Sequence, residues 1–414
     1  MKRVHLKNNN RGVFVKILII GTPYLPLPAV NGGAIEGLVD DYLQYNSKNE
    51  KINITVYSPL SDNIDYEYNK IYINTSFRYI NTRCLKYKFY KYFLALKRRF
   101  LKGKQVPTAY AMNVLSDLKK RNELEKYNLV IIENQVESLI EYGRKIKSKV
   151  VNHLHNDYLN CNVADANKIV ASCSEFWCVS KFICNQIKMI SSDACTKVLY
   201  NGVNIKKFGK VSEYQKEKMY EKIGFKKNDY IVLFTGRIMP EKGVLQLIKA
   251  FNKVKSKDDN LKLLIVGGLK NNSKECKNYL KKIDFEIKNN KDSIYIYGNA
   301  SAEELGVLYS IGDLQVVPSM WEEAFGLIVI EGMLFKNSLI ISNSGGMPEI
   351  VNESALIVDR KNIVEELAFS IKKIVSNKKL SEHMISQYED ILSNFTITKY
   401  CKTFENYILD ICKK

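Results

Sequence analysis

Two basic residues follow an apolar run at a point where a parallel α/β sheet would bind a ligand. Arg237 and Lys242 lie in the loop GRIMPEKG, between the run YIVLFT and a predicted helix at 244–255. A guanidinium offers phosphate oxygens a planar fork, and an ammonium offers them a point charge. Because open α/β sheets bind ligands at the carboxyl ends of their strands, the pair predicts a phosphate site. The alternative is two solvated surface cations, the usual state of Arg and Lys.

An acidic residue stands in an otherwise apolar or glycine stretch, AFGLIVIEGMLF at 324–335, which predicts a helix buried on most sides. This residue, Glu331, needs a partner, because a buried carboxylate without one costs several kcal/mol. The hydroxyl pair of a ribose would satisfy Glu331, and an ion pair with an Arg or Lys from elsewhere is the alternative. Glu322 and Glu323 precede the helix, where acidic residues are also ordinary. The amides of the helix start could hold a diphosphate, and they belong to Phe325, Gly326, Leu327 and Ile328.

Paired glycines, Gly32 and Gly33, follow the first apolar run at 16–20 and open a predicted helix. Glycines allow the backbone to approach a phosphate closely. Their spacing is not G-x-G-x-x-G, so a dinucleotide fingerprint is absent, and a plain tight turn is the alternative.

Two of the four histidines, His153 and His155, fall at the end of another apolar run, in VVNHLHND. Residues two apart in a strand share a face, so both side chains point the same way. They could donate hydrogen bonds to a polar ligand or titrate near neutrality. A metal pair is conceivable, but no neighbour in the sequence completes a site, and we expect no metal. Packed polar residues are the alternative for one or both.

Short apolar runs alternate with helical patterns along the whole chain, which predicts two doubly wound parallel-sheet α/β domains in tandem. We expect a loose tail at 1–14, a first domain at 15–205 and a second domain at 206–390. The carboxyl ends of the two sheets then imply a ligand cleft. The predicted strands are 16–20, 53–57, 128–132, 149–154, 176–179, 230–235, 261–266, 294–297, 313–317, 338–341 and 355–358.

The composition, with 46% hydrophobic and 26% charged residues among 414, is that of a globular protein and excludes a wholly disordered or collagen-like chain. The nine cysteines form no C-x-x-C pair, which favours a reducing cytosol and no zinc site. No stretch reaches about 18 apolar residues, so the sequence predicts a soluble or surface-bound protein.

Positive charge is concentrated in the first half of the chain. The net charge is +19, and residues 1–205 hold 30 basic and 17 acidic residues. Within 78–104 there are ten Lys or Arg, no acid and many aromatic side chains. An anionic membrane surface suits this pattern, while single-stranded nucleic acid and a solvated helix with one core-facing stripe are the alternatives.

These motifs, in this order, resemble the retaining glycosyltransferases of family 4, the group 1 type. The specific element is E-x7-E, from Glu323 to Glu331 in WEEAFGLIVIE. The segments NGGAIE, VSKF, NGV, GRIMPEKG and SGGMPEIV fit the same pattern. The resemblance implies the GT-B architecture, with the acceptor in the first domain, a nucleotide-sugar donor in the second, and a final helix, within 391–414, that crosses back to the first.

The resemblance also implies roles for the second domain. Arg237 and Lys242 would neutralise the donor diphosphate, and Glu331 would hold the ribose hydroxyls. Glu323 would lie by the donor sugar. Tyr297 and Gly298 would frame the base.

In the first domain, the resemblance implies that Gly33 approaches the diphosphate and that His155 is the active-site histidine, with His153 as its rival. The implied reaction is sugar transfer from a nucleotide diphosphate sugar, UDP-sugar first, with retention and without metal or further cofactor. The acceptor would be a glycan or lipid-linked sugar of bacterial surface polysaccharide or glycolipid synthesis, met at the inner face of the membrane. A GT-B epimerase or hydrolase and a non-catalytic nucleic-acid-binding protein are the rival functions.

Overall fold

The structure, a computed structural model, describes residues 15–65, 68–101, 104–255, 260–268 and 274–413, and the side chains of 68, 69 and 275 are not described. The predicted tail, 1–14, lies outside the described residues, as do positions 102 and 103 of the basic segment 78–104.

The first sheet has seven parallel strands in the order β3-β2-β1-β4-β5-β6-β7. Strand β1, which has a neighbour on each side, is fully buried from Ile17 to Ile20, because helices cover both faces of a parallel sheet. The strands are β1 (Val15–Ile20), β2 (Ile52–Pro59), β3 (Thr75–Ile80), β4 (Leu129–Glu133), β5 (Lys149–Leu154), β6 (Glu175–Cys178) and β7 (Thr196–Val198).

The second sheet has six parallel strands in the order β10-β9-β8-β11-β12-β13. Its order reverses at β8, so the loops after β8 and β11 leave the sheet at a topological switch point. The strands are β8 (Tyr230–Thr235), β9 (Leu261–Val266), β10 (Ile294–Gly298), β11 (Leu314–Val317), β12 (Ser338–Ser342) and β13 (Leu356–Val358).

Helices alternate with these strands, and several begin at caps that the sequence encodes. Ser212 with Gln215, and Ser301 with Glu304, form capping boxes. The helices of the described ranges are α1 (Ala34–Asn49), α2 (Leu85–Phe100), α3 (Ala109–Lys120), α4 (Leu139–Lys145), α5 (Ala166–Ala171), α6 (Lys181–Ile190), α7 (Glu213–Ile223), α8 (Val244–Val254), α9 (Lys274–Ile287), α10 (Ala302–Ile311), α11 (Leu327–Leu334), α12 (Pro348–Val351), α13 (Ile363–Val375), α14 (Lys378–Ser386), α15 (Tyr388–Leu392) and α16 (Ile397–Lys413).

The chain divides into two compact units, each built on one sheet. The first unit comprises 15–178, 184–199 and 401–413 of the described residues, and the second comprises 179–183 and 200–400. The end of α16 therefore packs within the first unit, where Phe404 lies with its ring centroid 4.3 Å from that of Tyr42 and 5.3 Å from that of Trp177. The predicted pair of doubly wound parallel sheets is confirmed.

Two strands, β3 and β7, have no counterpart among the predicted ones. Both lie at an edge of the first sheet, and both are short or half-exposed, with the sequences TSFRYI and TKV. An edge strand has one neighbour and needs no continuous apolar run, so the hydrophobic signal that identifies the central strands is missing.

No helix within the described ranges combines the length and the apolar character that crossing a membrane requires.

Candidate active site

An ion pair between two loops lies at the carboxyl edge of the second sheet. Lys242, after β8, places its Nζ 2.6 Å from Oε1 of Glu323, after β11. The two side chains are only 15% and 12% exposed, so most solvent is excluded from both charges. The hydroxyl of Ser319 donates to the same carboxylate oxygen, and the ring of Trp321 lies 5.3 Å from the ammonium. The sequence analysis gave Lys242 and Glu323 separate roles, but in the structure they form one ion pair.

The loop that follows β12 holds the backbone of Glu323 in place. The Ser344 hydroxyl accepts a hydrogen bond from the Glu323 amide at 3.0 Å, and the Glu323 carbonyl accepts one from the Gly346 amide at 2.7 Å. Gly345 has a φ of +51°, and a Cβ there would lie 2.0 Å from the Glu323 carbonyl oxygen, so only glycine fits. The Gly345 amide donates to the Glu322 carboxylate at 2.6 Å. The motif SGG therefore supports the acidic loop.

Helix α11 begins at Leu327, three residues later than the sequence predicts. Gly326, with a φ of +113°, interrupts the helical backbone before that point, and no side chain caps the helix. The amides of the first turn, at Leu327 and Ile328, therefore lack a side-chain acceptor and can bind an anion. The helix start that we expect to bind an anion therefore lies at Gly326 and Leu327, and not at residue 324.

Glu331 lies inside the second unit, and side chains from two other elements satisfy its carboxylate. Lys207 Nζ is 2.7 Å from Oε1, and the hydroxyl of Tyr309 donates to Oε2 at 2.9 Å. The Thr235 hydroxyl lies 2.8 Å from that of Tyr309 and accepts from the Gln315 amide at 3.2 Å. Burial and the charge of Glu331 raise the pKa of Tyr309, which keeps its hydroxyl protonated as the donor. The internal ion pair, one of the two alternatives for Glu331, is therefore present.

Arg237 and Tyr297 lie in different electrostatic environments. Arg237 is exposed, and across the described ranges no carboxylate forms an ion pair with it. The hydroxyl of Tyr297 lies 2.5 Å from Glu304 Oε1 and 2.5 Å from Lys222 Nζ, and Gly298 ends β10 with a φ of +84°. The positive charge of Arg237 is therefore not cancelled by a carboxylate of the described ranges, and it can attract an anion.

In the first unit, Gly32 and Gly33 form the turn that opens α1, with φ values of +71° and +106°. The carboxylate of Glu36 lies directly beneath this turn, because a Cβ on Gly33 would meet its Oε2 at 2.2 Å. Thr22, after β1, donates its hydroxyl to Oε1 of Glu36. Burial raises the pKa of Glu36, and the charge of Glu133 raises it further.

Three titratable side chains meet at the ends of β4 and β5. Glu133 Oε2 lies 3.0 Å from His153 Nδ1 and 2.9 Å from His155 Nε2. Glu133 and His153 are fully buried, and the His155 side chain is 5% exposed. The cause is register: Glu133 on β4 pairs with His153 on β5, so both side chains leave the same face of the sheet.

The surroundings move the pKa values of this cluster in a definite direction. Burial raises the pKa of Glu133, but the attraction and hydrogen bonds of His153 and His155 outweigh it and lower the value to about 2. Burial and the charge of His153 lower the pKa of His155 to about 4. Near neutral pH, Glu133 is therefore an anion and His155 is a neutral imidazole.

Glu133 is a site residue that the sequence analysis missed. It closes the apolar run LVIIE, and a charged residue at the end of a buried strand was the available signal. Its neighbours along the chain hold no His, so only the pairing of β4 with β5 brings the three together. Their ligand-type atoms lie within 4.8 Å of one another, a spacing that could also hold a metal ion.

Comparison with known proteins identifies the second unit. Residues 215–390 match the family described as glycosyl transferases group 1. This part of the chain is similar to the group 1 glycosyl transferases. The matched segment includes Arg237, Lys242, Glu323 and Glu331, and the match confirms the predicted resemblance to the group 1 type.

Relatives extend the similarity beyond the group 1 segment. The lipopolysaccharide 1,2-N-acetylglucosaminetransferase of Salmonella typhimurium is 25% identical over 340 residues, which are 81% of this chain and 82% of that protein.

Among solved structures, a glycosyltransferase from Rickettsia africae superposes with a TM-score of 0.73, at 22% identity, over 97% of this chain and 100% of that one. HepE of Anabaena in complex with UDP superposes with a TM-score of 0.71, at 17% identity, over 96% and 100%. These likenesses confirm the predicted GT-B fold.

The lowered pKa of His155 predicts that acid destabilises the first unit. Unfolded histidine, with a pKa of about 6.5, binds a proton between pH 6.5 and 4 that the folded residue does not, so stability falls as pH falls through that window. We expect a loss of about 2 kcal/mol between pH 7 and 4.5 that His155→Gln lacks. Urea unfolding followed by Trp177 fluorescence, in a Trp321→Phe background, measures it.

The control for this prediction is His383→Gln, because His383 is an exposed histidine of the second unit. It should leave the pH dependence of the first unit unchanged. Equal acid sensitivity of the parent and the His155→Gln variant would contradict the assignment.

Proposed function

We propose that this protein is a retaining glycosyltransferase of family 4 that moves a sugar from a nucleotide diphosphate sugar, a UDP-sugar, to a hydroxyl of a glycan or lipid-linked acceptor. It would act in bacterial surface polysaccharide or glycolipid synthesis without a metal ion or further cofactor. The observation that carries the proposal is the group of Arg237, the Lys242–Glu323 pair and the uncapped start of α11 within the group 1 segment.

The charges of this group suit a diphosphate leaving group. The ammonium of Lys242 is held at a fixed position by Glu323, which also neutralises it. The exposed guanidinium of Arg237 adds positive charge, and the amides at Gly326, Leu327 and Ile328 add the positive end of the α11 dipole. Donors fixed before the reaction stabilise charge that develops in the transition state. The diphosphate is therefore proposed to bind between Arg237, Lys242 and the start of α11.

The rest of the donor is assigned to residues of the same unit. Glu331, already paired with Lys207, would accept hydrogen bonds from the ribose hydroxyls. Tyr297 and Gly298, at the end of β10, would frame the base, and Glu323 with Phe325 would lie by the sugar. UDP as the nucleotide is supported by HepE, whose structure with UDP shares this fold.

In the first unit, the proposal assigns the contact with the transferred sugar to His155. Gly32 and Gly33 would bring their backbone close to the diphosphate.

Retention is proposed to follow from attack on the same face that the leaving group departs from. The bond between the anomeric carbon and the phosphate oxygen breaks, the acceptor oxygen bonds to that carbon, and the acceptor proton passes to the released diphosphate. The Glu323 carboxylate, engaged by Lys242 and Ser319, supports this assignment because it is not free to act as a nucleophile.

Retention has a direct test. Anomeric proton NMR of the first product formed from an α-linked UDP-sugar should show the α configuration. An inverted product would refute retention, and free sugar without transfer in the presence of acceptors would favour the hydrolase or epimerase.

Donor binding is tested by thermal shift with UDP-, GDP-, dTDP- and ADP-sugars. A donor at about 100 times its Kd should stabilise the protein by about 2.7 kcal/mol. Arg237→Ala should abolish this shift and leave the apo protein within about 0.5 kcal/mol of the parent, because Arg237 is exposed.

Lys372→Ala, which removes an exposed cation from α13, is the matched control and should keep the full shift. Lys242→Ala and Glu331→Gln should also abolish it, but they break ion pairs and should lower the apo stability as well. A shift that survives Arg237→Ala would count against the diphosphate site.

An anionic membrane surface is proposed as the partner of α2. Six apolar side chains of this helix form one continuous stripe, and they are between 37% and 84% exposed. On a helix of 3.6 residues per turn, this stripe lies opposite Tyr87 and Leu94, which face the core of the first unit. The stripe consists of Leu85, Phe89, Tyr92, Phe93, Leu96 and Phe100.

Basic residues border the stripe on both sides. Lys88 and Arg99 follow one edge, and Lys86 and Lys97 follow the other, by the same helical geometry. An apolar stripe between rows of cations is the arrangement of a helix that lies in the plane of an anionic bilayer. Arg78 does not contribute, because it lies in β3 and pairs with Glu123 at 2.6 Å.

The membrane proposal predicts that Phe89→Ser with Phe93→Ser lowers the affinity for phosphatidylglycerol vesicles at least about tenfold, since a buried Phe contributes about 1.5–3 kcal/mol. Binding should also weaken between about 0.1 M and about 0.5 M salt. Vesicle co-sedimentation measures both effects.

Phe369→Ser, which removes a 68% exposed Phe from the second unit, should bind vesicles like the parent. Equal binding to neutral vesicles at every salt concentration would contradict the proposal. So would tight binding to single-stranded RNA that the Phe89→Ser, Phe93→Ser pair abolishes.

A further inference from the structure

A single carboxylate oxygen is shared by two imidazoles at the carboxyl edge of the first sheet. Oε2 of Glu133 lies 3.0 Å from Nδ1 of His153 and 2.9 Å from Nε2 of His155. The two rings lie 4.0 Å apart between centroids, tilted by 52°. Glu133 and His153 are completely buried, whereas the His155 side chain is 5% exposed.

The contact fixes which ring nitrogen of His155 carries the hydrogen. An ionised carboxylate has acceptor oxygens and no hydrogen to donate, so Nε2 must donate across the 2.9 Å contact. In the neutral ring, Nδ1 then keeps a lone pair and is an acceptor. Such a ring can receive a hydrogen bond from a sugar hydroxyl, but it offers no charge and no second donor to a phosphate.

The backbone around the cluster is also tied down. Asn134, which follows Glu133 with a φ of +52°, accepts a hydrogen bond from the His155 amide at 3.2 Å through its side chain. The Asn134 amide donates to the carbonyl of His153 at 3.0 Å. The next residue, Gln135, donates its side-chain amide to the carbonyl of Gly21 at 2.7 Å. The ends of three adjacent strands, β1, β4 and β5, are thus joined beside His155.

We propose that Glu133 is a positioning residue that holds the His155 ring in the Nε2–H form, so that Nδ1 accepts a hydrogen bond from a hydroxyl of the transferred sugar or its acceptor. The proposal rests on the proposed glycosyltransferase function for the identity of the substrate. Two parts of the proposal can be tested without any substrate. They are the Nε2–H form of the His155 ring and the expectation that the cluster works without a metal ion.

The principal variant is Glu133→Gln, which keeps the size of the side chain and removes its charge. We expect kcat for sugar transfer to fall roughly 10²-fold, the size of effect that a mispositioned proton-transfer or hydrogen-bonding group has. The thermal shift with UDP, which carries no sugar for His155 to contact, should be unchanged. Nitrogen-15 NMR of the histidines should show the Nε2–H form of His155 in the parent and its loss in the variant.

A double variant separates positioning from a general structural role. If Glu133 acts through His155, then Glu133→Gln combined with His155→Ala should be no slower than His155→Ala alone. Multiplied losses would overturn the proposal. Should Glu133→Gln fail to fold, Glu133→Asp, which keeps the charge, should retain the Nε2–H form and an intermediate kcat; loss of that form in Glu133→Asp would overturn it.

Glu175→Gln is the matched control, because Glu175 is a second buried glutamate of the first unit and accepts a hydrogen bond from Trp177 at 3.0 Å. It should leave the ring state of His155 and kcat unchanged.

Metal binding is the competing use of the same atoms. Addition of Zn²⁺ or Mn²⁺ to the metal-free protein should leave the melting temperature unchanged. A metal-dependent rise in melting temperature that Glu133→Gln abolishes would make the cluster a metal site and overturn the proposal. Absence of transfer with an intact Nε2–H ring and no metal response would refute the proposed function but not the ring state.

Discussion

Carboxylates placed at the carboxyl edges of two parallel sheets, away from most solvent, must be neutralised by side chains from other segments of the chain. Glu323 receives Lys242, Glu331 receives Lys207 and Tyr309, and Glu133 receives two imidazoles. Each partner comes from a different element of the chain. A buried charge that loses its partner costs several kcal/mol, so these contacts fix the loops relative to their sheet.

The same constraint decides which cations are free to bind a ligand. Lys242 and Lys207 are engaged by carboxylates, and their charge is largely cancelled within the apo protein. Arg237 is exposed and forms no ion pair across the described ranges, so it contributes uncancelled positive charge. The start of α11 adds partial charge without any counterion, because Gly326 cannot cap it. We therefore propose that Arg237 and the backbone amides at the start of α11 attract an anion and that Lys242 orients it.

Helix α2 differs from these paired carboxylates, because no other part of the described chain covers its apolar stripe. Tyr87 and Leu94 are the buried residues of the helix, while six further apolar side chains are exposed between cations. Exposed apolar area of this extent is unusual unless another surface covers it. The bilayer interface proposed as its partner would cover the apolar stripe and attract the basic borders together.

The sequence alone determined the central strands of both sheets, because buried parallel strands are continuous apolar runs: YIVLFT and LKLLIV match β8 and β9 at both ends. It also determined that Arg237, Lys242 and Glu323 lie in segments between a strand and the following helix, because the order of apolar runs and helical patterns fixes where these segments fall. The sequence did not predict the edge strands β3 and β7, because a strand with a neighbour on one side only needs no continuous apolar run.

Only the tertiary structure decided which residues touch. Lys207 meets Glu331 although they are 124 positions apart, and Glu133 meets His153 and His155 because β4 pairs with β5 in one particular register. The α2 stripe is exposed because the opposite side of the helix, with Tyr87 and Leu94, packs against the core. Packing between distant segments decides these contacts, so a local pattern of residue types cannot predict them.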